Sequence, residues 1–355
     1  MKGLDFPIFK TKIEGQNQKF RLEEPAERRK YFDFKAGAEI EKLRDYLRSN
    51  TFVGILLGKK NSGKGTYSKL FMEAVGAEHI AHISVGDIVR DTHKEISNPE
   101  KEKALKEFLK KRFRGFISVE QGIDALLGRD TKTLLPTEFI LALVERKIDQ
   151  IGRKAIFIDG FPRDLDQISY SLYFRSLIGY REDPDFFTFI SLPESIIDER
   201  MRYRVVCPKC QTPRNLKLLR TKEVGYDEEK KEFFLLCDNS LCGQARMVAK
   251  EGDNLGIEAI RDRIEIDDKV MRSLLTLEGV PKIYLRNAIP VEKAKDFVDD
   301  YELTPAYSYE GVNGEVKVIE KPWVVNDDDG VPSYSLLPQA VAVSLIKQMI
   351  PVLGL

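Results

Sequence analysis

Short apolar runs alternate with helical patterns through the middle of the chain. The runs FVGILL (52–57), AHIS (81–84), KAIFID (154–159) and DFFTFISL (185–192) are continuous and mostly apolar, which is typical of buried strands. Between them, YSKLFMEAV, VGDIVRDTHKEI and PTEFILALVERKIDQI have the apolar spacing of helices. Strands that alternate with helices predict an α/β fold with a parallel sheet and right-handed crossovers.

The carboxyl ends of the predicted strands carry the candidate chemistry. Open parallel sheets bind their ligands at these ends. The pattern places Gly58, Ser84, Asp159 and Leu192 there. We therefore expect the functional site at this edge of the sheet.

The segments outside this pattern are more polar. Residues 1–50 form an extension in which AGAEIEKLRDYLRSN predicts a charged helix before the first strand. Residues 99–131 are strongly charged and predict a solvated helical insertion. Near the end of the chain, we expect a hairpin around 311–314 and an amphipathic closing helix over 337–350. The acidic turn at 327–329 is interpreted as a turn rather than a cation site.

Size and charge restrict the class of protein. The length of 355 residues fits one large domain with insertions or about two domains, and 57 basic residues balance 57 acidic ones. This balance favours neither nucleic acid nor an anionic membrane as a partner. No run reaches the roughly 20 apolar residues of a membrane span, and the first residues lack the apolar core of a signal peptide. We expect a cytoplasmic protein without a membrane partner.

The stretch GKKNSGKGT (58–66) lies between a predicted strand and a predicted helix, which is the context that a phosphate-binding loop requires. Glycines allow backbone N–H groups to point at phosphate oxygens, and the start of the helix adds partial positive charge. Lys64 supplies a cation and Thr66 a hydroxyl group. The strict pattern places Ser or Thr directly after the lysine, whereas Gly65 stands here. A simple glycine-rich turn is the alternative.

A second constellation follows the other strands. The run FIDGFPRDLDQ places Asp159 at a strand end, with Arg163 and Gln167 shortly after it, and Arg90 follows the AHIS strand. A carboxylate can hold the water shell of magnesium, and arginines can bind a phosphate through paired hydrogen bonds. Further arginines lie at positions 200, 202, 204, 261 and 263. Phosphoryl transfer needs such fixed positive charge, although ordinary surface ion pairs are the alternative for any single arginine.

All the cysteines of the chain occur in two pairs. The motifs are C-x2-C and C-x4-C, and they comprise Cys207, Cys210, Cys237 and Cys242. Four thiolates can close a tetrahedral shell, which predicts structural zinc without an open catalytic position. Reactive thiols or core packing are the alternatives. The tract between the pairs predicts small antiparallel strands that depend on the metal.

The chain resembles the adenylate kinases, within the nucleoside monophosphate kinase family. The motifs GKKNSGKGT, HISVGDIVR, LLPTEFILALV, FIDGFPRDLDQ and RMRYRVVCPKC occur in the order of that family, and the resemblance covers roughly 52–90 and 133–279. It implies an α/β fold with a parallel-sheet P-loop NTPase core, a helical NMP-binding insertion and a zinc-ribbon lid. It also implies an enzyme that uses Mg²⁺ and structural Zn²⁺, transfers the γ-phosphoryl group of ATP to AMP and gives two ADP.

The resemblance also implies roles for individual residues. The residues that bind ATP would be Gly58, Ser62, Gly63, Lys64, Gly65, Thr66, Arg200 and Arg204. Those that bind the monophosphate would be Val85, Arg90, Gly160, Arg163 and Gln167. Catalysis would depend on Lys64, Asp159, Arg163, Arg204 and Arg263. Two positions depart from the family: Val85 stands where threonine is usual, and a lid arginine has only Arg246 or Lys250 as a counterpart.

By the same resemblance, the chain divides into five parts. These are an N-terminal extension (1–50), a kinase core (51–84, 151–204 and 251–284), an NMP-binding domain with the helical insertion (85–150), a zinc-binding lid (205–250) and a C-terminal extension (285–355). We expect a monomer. The alternatives are a kinase for CMP or UMP, a non-catalytic nucleotide sensor and a zinc-ribbon protein that binds nucleic acid. The complete set of transfer residues argues against the sensor, and the mixed charge of 223–232 argues against the nucleic-acid binder.

Overall fold

The computed structural model describes residues 2–4, 6–128, 135–250, 252–312 and 315–355, without the side chains of 312 and 315. The end of the predicted charged insertion (129–131) and the tip of the predicted hairpin (313–314) lie outside the described residues. So do residues 133, 134 and 251 of the segments that carry the resemblance. In the described part of the chain, the α-helices are α1 (Pro25–Leu47), α2 (Lys64–Val75), α3 (Val85–Glu95), α4 (Pro99–Arg112), α5 (Val119–Leu126), α6 (Thr137–Ile151), α7 (Ile168–Leu172), α8 (Phe174–Leu177), α9 (Glu194–Arg202), α10 (Arg261–Leu275), α11 (Val291–Phe297) and α12 (Pro338–Leu353).

Five of the strands in the described part of the chain form the central sheet. All strands are β1 (Val53–Gly58), β2 (Ile80–Ser84), β3 (Ala155–Asp159), β4 (Asp185–Ser191), β5 (Arg204–Val206), β6 (Pro213–Asn215), β7 (Val224–Asp227), β8 (Glu232–Leu235), β9 (Val248–Ala249), β10 (Lys282–Arg286), β11 (Ala288–Pro290), β12 (Pro305–Val312), β13 (Glu315–Pro322), β14 (Val324–Asn326) and β15 (Pro332–Ser335).

The central sheet is parallel and has the strand order β10-β4-β1-β3-β2. The predicted strands β1 to β4 are confirmed, and the sequence pattern missed the edge strand β10. In the register, Asp159 pairs with both Leu56 and Ser84, and Gly58 pairs with Ile190. The carboxyl ends of neighbouring strands therefore lie side by side at one edge of the sheet, where the sequence predicts the functional site.

Helices cover both faces of the sheet, as a parallel sheet requires. One apolar cluster joins one face of the sheet to α1, α2 and α12 and includes Ile40, Phe71, Phe157 and Leu345. The other joins the opposite face to α6 and α10. Both terminal extensions thus supply helices to the core, with α1 and α12 packed against each other and against α2.

The closing helix differs from its prediction. The sequence predicts an amphipathic helix, but residues 340–346 of α12 are all buried. The helix is apolar on nearly every side because it lies between α1, α2 and the edge strand β10. An amphipathic pattern would suit a helix with one solvent face, so this part of the prediction is wrong.

A buried ionic cluster joins the two extensions. The Lys35 Nζ atom lies 2.6 Å from Asp299 Oδ2 and 3.6 Å from Glu302 Oε1, and the side chains of Lys35 and Glu302 are 0% exposed. The hydroxyls of Tyr31 and Thr11 donate to Glu302 at 2.5 and 2.7 Å. Burial raises the pKa of Tyr31, and Glu302 raises it further, so the phenol stays a neutral donor. These contacts fix the N-terminal extension against the C-terminal one.

The cysteine-containing segment folds as small antiparallel strands, as predicted. Strands β6, β5 and β9 form one sheet, and β7 and β8 form a hairpin. The hairpin β12–β13 of the C-terminal extension packs on this segment: the Tyr309 hydroxyl donates to the carbonyl of Leu216 at 2.6 Å, and the Tyr307 N–H donates to that of Lys217 at 2.7 Å. Among the described residues, no helix has the length and apolar character needed to cross a membrane.

Candidate active site

The loop between β1 and α2 curls around the start of the helix. Gly63 has φ 97°, which favours glycine, and a Cβ atom added at Gly58 would lie 2.6 Å from Ser62 Oγ. Gly65 and Thr66 follow in the first turn of α2, where Thr66 is exposed. The glycines therefore permit a tight loop that ends at the positive end of a helix, which is the geometry of an anion site.

The ammonium group of Lys64 lies inside this loop. It donates to the carbonyls of Gly58 and Lys59 at 2.8 and 3.1 Å, and it is 3.8 Å from Asp159 Oδ1. Burial lowers the pKa of Lys64, and the carboxylates of Asp159 and Asp267 oppose that shift. The main chain of the loop thus aims this cation at the edge of the sheet where the strands end.

A serine hydroxyl in the loop is buried without a partner. Ser62 is 0% exposed, and its Oγ atom has no hydrogen-bond partner among the described residues. A buried polar atom is costly unless it is hydrogen-bonded. The unpartnered Ser62 hydroxyl beside Lys64 indicates a site for an oxygen atom of a ligand. This observation is the one that best supports phosphate binding by the loop.

Two arginines lie beside Lys64. The Arg263 guanidinium donates to the carbonyl of Arg163 at 2.9 Å and lies 2.6 Å from Asp267 Oδ1. Burial lowers the pKa of Arg163, and the charge of Arg263 lowers it further. A cavity of about 30 Å³ lies among these groups and is lined in part by Gly58, Lys64, Gly160, Arg263 and Asp267. Two cations, Lys64 and Arg263, line this cavity, and such positive charge favours an anionic ligand.

Asp267 was missed in the sequence. It lies one helical turn after Arg263 on α10, and its Oδ2 atom accepts a hydrogen bond from the Lys60 N–H at 2.9 Å. Burial raises the pKa of Asp267, against the effect of the neighbouring cations. Through its hydrogen bond with Lys60 and its ion pair with Arg263, Asp267 links the phosphate loop to α10. The spacing of Arg263 and Asp267 on one helix face was the available signal.

The predicted acceptor side lies next to this group. The Gln167 side chain is buried, and its Oε1 atom accepts a hydrogen bond from the Arg163 N–H at 2.9 Å. Val85 is buried at the start of α3, and a Cβ atom added at Gly160 would lie 3.7 Å from its Cβ. These contacts connect β3, α3 and the loop that carries Arg163 and Gln167.

Three predicted arginines pair with side chains outside this group. Arg90 is largely exposed and pairs with Asp87, Arg200 donates to Asn287 Oδ1 at 3.3 Å, and Arg204 binds both oxygens of Asp253 at 2.5 and 2.7 Å. The structure thus brings together Lys64, Asp159, Arg163 and Arg263, but not these three. Asn287 was also missed in the sequence, where a single asparagine after a strand carries no signal.

The two candidates for the missing lid arginine differ. Arg246 pairs with Asp227 at 2.6 Å and Glu232 at 2.7 Å, and its guanidinium lies 4.1 Å from the centre of the Phe234 ring. Lys250 is exposed. Arg246 is therefore engaged within the cysteine-containing segment.

The cysteine side chains converge on one point. Their sulfur atoms all lie within 4.8 Å of one another, and Cys207, Cys237 and Cys242 are buried. Hydrogen bonds with Thr212 lower the pKa of Cys210 to about 6. Four sulfur ligands so close together are compatible with a tetrahedral metal site.

Comparison with known proteins identifies a family for the chain. The chain is 30% identical over 213 residues to an adenylate kinase of Thermotoga petrophila. This aligned region covers 60% of this chain and 78% of that protein. It is 31% identical over 222 residues to an adenylate kinase of Clostridium novyi (62% and 83%) and 29% identical over 251 residues to one of Clostridium acetobutylicum (70% and 93%). No protein-family model matches the chain. With its parallel α/β core and longer termini, the chain belongs to the adenylate kinase family and is a phosphotransferase of the nucleoside monophosphate kinase class.

Proposed function

We propose that the protein transfers the γ-phosphoryl group of ATP to AMP, reversibly, and gives two ADP. The observation that carries this proposal is the convergence of Lys64, Arg163 and Arg263 beside the phosphate loop and the buried, unpartnered Ser62 hydroxyl. The relatives are named adenylate kinases, which supports ATP and AMP as the substrates.

The chemistry asks the protein mainly to position charge. In phosphoryl transfer, the charge is spread over the oxygens of the transferred group, and the protein contributes little covalent chemistry. The loop N–H groups, Ser62 and Lys64 would bind the phosphates of ATP, and Arg163 would bind the acceptor phosphate. Arg263, held by Asp267 at 2.6 Å, would stabilise the charge between them.

Magnesium would accompany ATP at the end of β3. Asp159 is partly exposed, and Lys64 at 3.8 Å is its only ion-pair partner among the described residues. Its oxygens therefore retain capacity for the water shell of a hard cation. The ion would neutralise phosphate charge, while Asp159 orients the water shell.

The remaining arginines would join the site from segments outside the group around Lys64. Arg90 belongs to the proposed NMP-binding domain (85–150), and Arg200 and Arg204 lie at the end of the core segment 151–204, directly before the proposed lid (205–250). Each arginine pairs with a side chain that carries less negative charge than a phosphate group, so a bound phosphate can replace that partner. The partners are Asp87, Asn287 and Asp253. We assign Arg90 to the monophosphate and the other two to ATP.

The orientation of Gln167 supports adenine as the acceptor base. Its Oε1 atom already accepts a hydrogen bond from the Arg163 N–H, which fixes the amide. The amino group can then donate to N1 of adenine, and the second lone pair of Oε1 can accept from the N6 amino group. Uracil and guanine would need the opposite orientation of the amide. Cytosine presents an edge similar to that of adenine, so CMP is the strongest competitor.

The acceptor prediction concerns a panel of AMP, CMP, UMP and GMP with ATP as the donor. We expect the highest kcat/KM for AMP, and we expect Gln167→Ala to lower that value by up to roughly tenfold, because one hydrogen-bonded pair contributes about 0.5–1.5 kcal/mol. The affinity for ATP should stay unchanged. Coupled assays of the two proteins measure both effects.

The exposed Gln150 offers a matched control, since Gln150→Ala should leave the order of acceptors and the rates unchanged. A native protein that prefers CMP or UMP would refute the base assignment while leaving the kinase assignment intact.

We also propose that Cys207, Cys210, Cys237 and Cys242 bind one structural zinc ion. Their sulfur atoms lie within 4.8 Å of one another, and the surrounding apolar cluster is small. A thin core of short strands needs such a link to be stable. With four protein ligands, the ion would have no open position, so it would stabilise the segment rather than take part in transfer.

The zinc proposal predicts about one metal ion per chain after purification under reducing conditions without chelator. Elemental analysis measures the content. Cys210→Ser should lower both the metal content and the melting temperature, whereas Ser240→Ala in the second cysteine loop should change neither. Metal-free protein with native thermal stability would count against the site.

A further inference from the structure

The phosphate loop carries a second, deeply buried lysine. The Lys59 side chain is 3% exposed, and its Nζ atom lies 2.9 Å from Glu194 Oε1 and 3.1 Å from Asp328 Oδ2. Glu194 begins α9, whereas Asp328 belongs to the turn between β14 and β15 in the C-terminal extension. A residue of the extension thus reaches the loop that holds Lys64.

Asp328 bridges two elements with one carboxylate. Its Oδ1 atom accepts a hydrogen bond from the Glu194 N–H at 2.7 Å, while Oδ2 faces Lys59. The same group therefore caps the first turn of α9 and pairs with the loop lysine. Burial lowers the pKa of Lys59, but Asp328 and Glu194 more than offset this effect, so that its pKa is raised and the side chain stays charged.

The position of Lys59 bears directly on Lys64. The main-chain carbonyl of Lys59 accepts a hydrogen bond from the Lys64 ammonium at 3.1 Å, beside that of Gly58 at 2.8 Å. The two ion pairs of the Lys59 side chain restrain the residue whose carbonyl accepts this hydrogen bond. A shift of Lys59 would redirect the cation that faces the phosphates.

A separate contact of the C-terminal extension supports the same region. Buried Asn287 donates from Nδ2 to the Tyr67 hydroxyl at 3.0 Å and to the Leu336 carbonyl at 3.1 Å. Tyr67 lies on α2 against the loop, since a Cβ atom added at Gly63 would be 2.9 Å from its ring. The extension therefore supports the loop through two separate contacts.

We propose that Asp328 is a positioning residue for ATP: it fixes Lys59, and Lys59 fixes the carbonyl that orients Lys64. Asp328 does not touch the nucleotide in this role. The inference rests on the proposed function. It gives the C-terminal extension a part in substrate binding, which the resemblance to the family does not cover.

The test is the equilibrium affinity for ATP with magnesium, measured by titration calorimetry. Asp328→Asn keeps an acceptor for the Glu194 N–H but removes the charge that faces Lys59. We expect its Kd for ATP to rise by roughly 3- to 30-fold, the effect of mutations that act on a site through an intervening contact. Asp329→Asn is the matched control, because Asp329 is exposed in the same turn and accepts from the Gly3 N–H instead.

Two further variants test the route of the effect. Lys59→Met leaves no buried cation in need of a partner, and it should fold and bind ATP about as weakly as Asp328→Asn. In the Lys59→Met background, Asp328→Asn should add no further loss, because residues that act through one contact are not additive. In kinetics, KM for ATP should rise while KM for AMP stays constant.

Several outcomes would overturn the role of Asp328. These are native affinity in Asp328→Asn or Lys59→Met, fully additive losses in the double variant, or a lower melting temperature without any change in Kd. If the native protein itself fails to bind ATP, the proposed function falls as well. If the native protein binds ATP and the variants bind it with unchanged affinity, only the inference about Asp328 is refuted.

Discussion

Replacing Lys64 with alanine is expected to reduce kcat by about 10²–10³, the loss that accompanies removal of one preorganised group that stabilises transition-state charge. Lys64 is held by the carbonyls of Gly58 and Lys59 and points to the end of the sheet, so water cannot replace it with the same orientation. The helix itself should remain, because Leu70 and Phe71 anchor α2 in the core. Steady-state rates of ADP formation, with circular dichroism as a check of folding, measure the effect.

Lys69→Ala is the matched control for this variant, since Lys69 lies on the same helix with an exposed side chain. It should retain native turnover. If a folded Lys64→Ala protein also turned over at a native rate, the proposed role of the phosphate loop would be wrong.

Lys35→Met is expected to cost about 3–5 kcal/mol of the free energy of unfolding, the range for breaking a buried ion pair by removing one partner. The substitution preserves much of the volume but leaves Asp299 and Glu302 near each other without their common cation. Because Lys35 lies on α1 and the carboxylates lie in the C-terminal extension, the loss should weaken the packing of both extensions. Denaturant unfolding measures it.

The control is Lys30→Met, the same change at an exposed position of α1. Lys30 is 66% exposed and pairs with Glu27, so its loss should cost only about 0–1 kcal/mol. Equal losses for the two variants would mean that the buried cluster contributes no more than a surface ion pair.

The parts of the fold that the sequence predicted are those with local signals. The strand, glycine loop and helix from Val53 to Val75 have their periodicity, turn residues and breakers within one short stretch. The same holds for the cysteine pairs, whose spacing alone predicted that the four sulfur atoms converge. Contacts between distant segments had no such signal. Lys35 meets Glu302, and Lys59 meets Asp328, only after the chain has folded.

The closing helix shows why the extensions were harder to interpret. Its sequence predicts an amphipathic helix with one buried face, but residues 340–346 are all buried. The apolar periodicity of a helix does not show how many neighbouring elements cover it, so the burial of α12 could not be read from its sequence alone. The resemblance to the family did not cover α1 or α12, so it gave no partner for either helix.

The candidate site was predicted in part. Positions at strand ends, such as Gly58 and Asp159, follow from the parallel topology, and Arg163 follows Asp159 closely in the chain. The sequence analysis also named three arginines whose partners it did not predict. In the structure, Arg90 pairs with Asp87, Arg204 with Asp253 and Arg200 with Asn287. Asp267 was missed although its spacing from Arg263 was a signal, because the sequence alone does not show that this face of the helix meets the phosphate loop.

The most direct test follows the phosphorus atom itself. The native protein is incubated with magnesium, AMP and ATP labelled at the γ-phosphorus, and the products are separated. We predict that the label appears in ADP as the β-phosphoryl group, that it does so only when AMP is present, and that the reaction runs in reverse from ADP. Label that is released as inorganic phosphate, or that remains in ATP when AMP is in excess, would contradict a transfer from ATP to AMP.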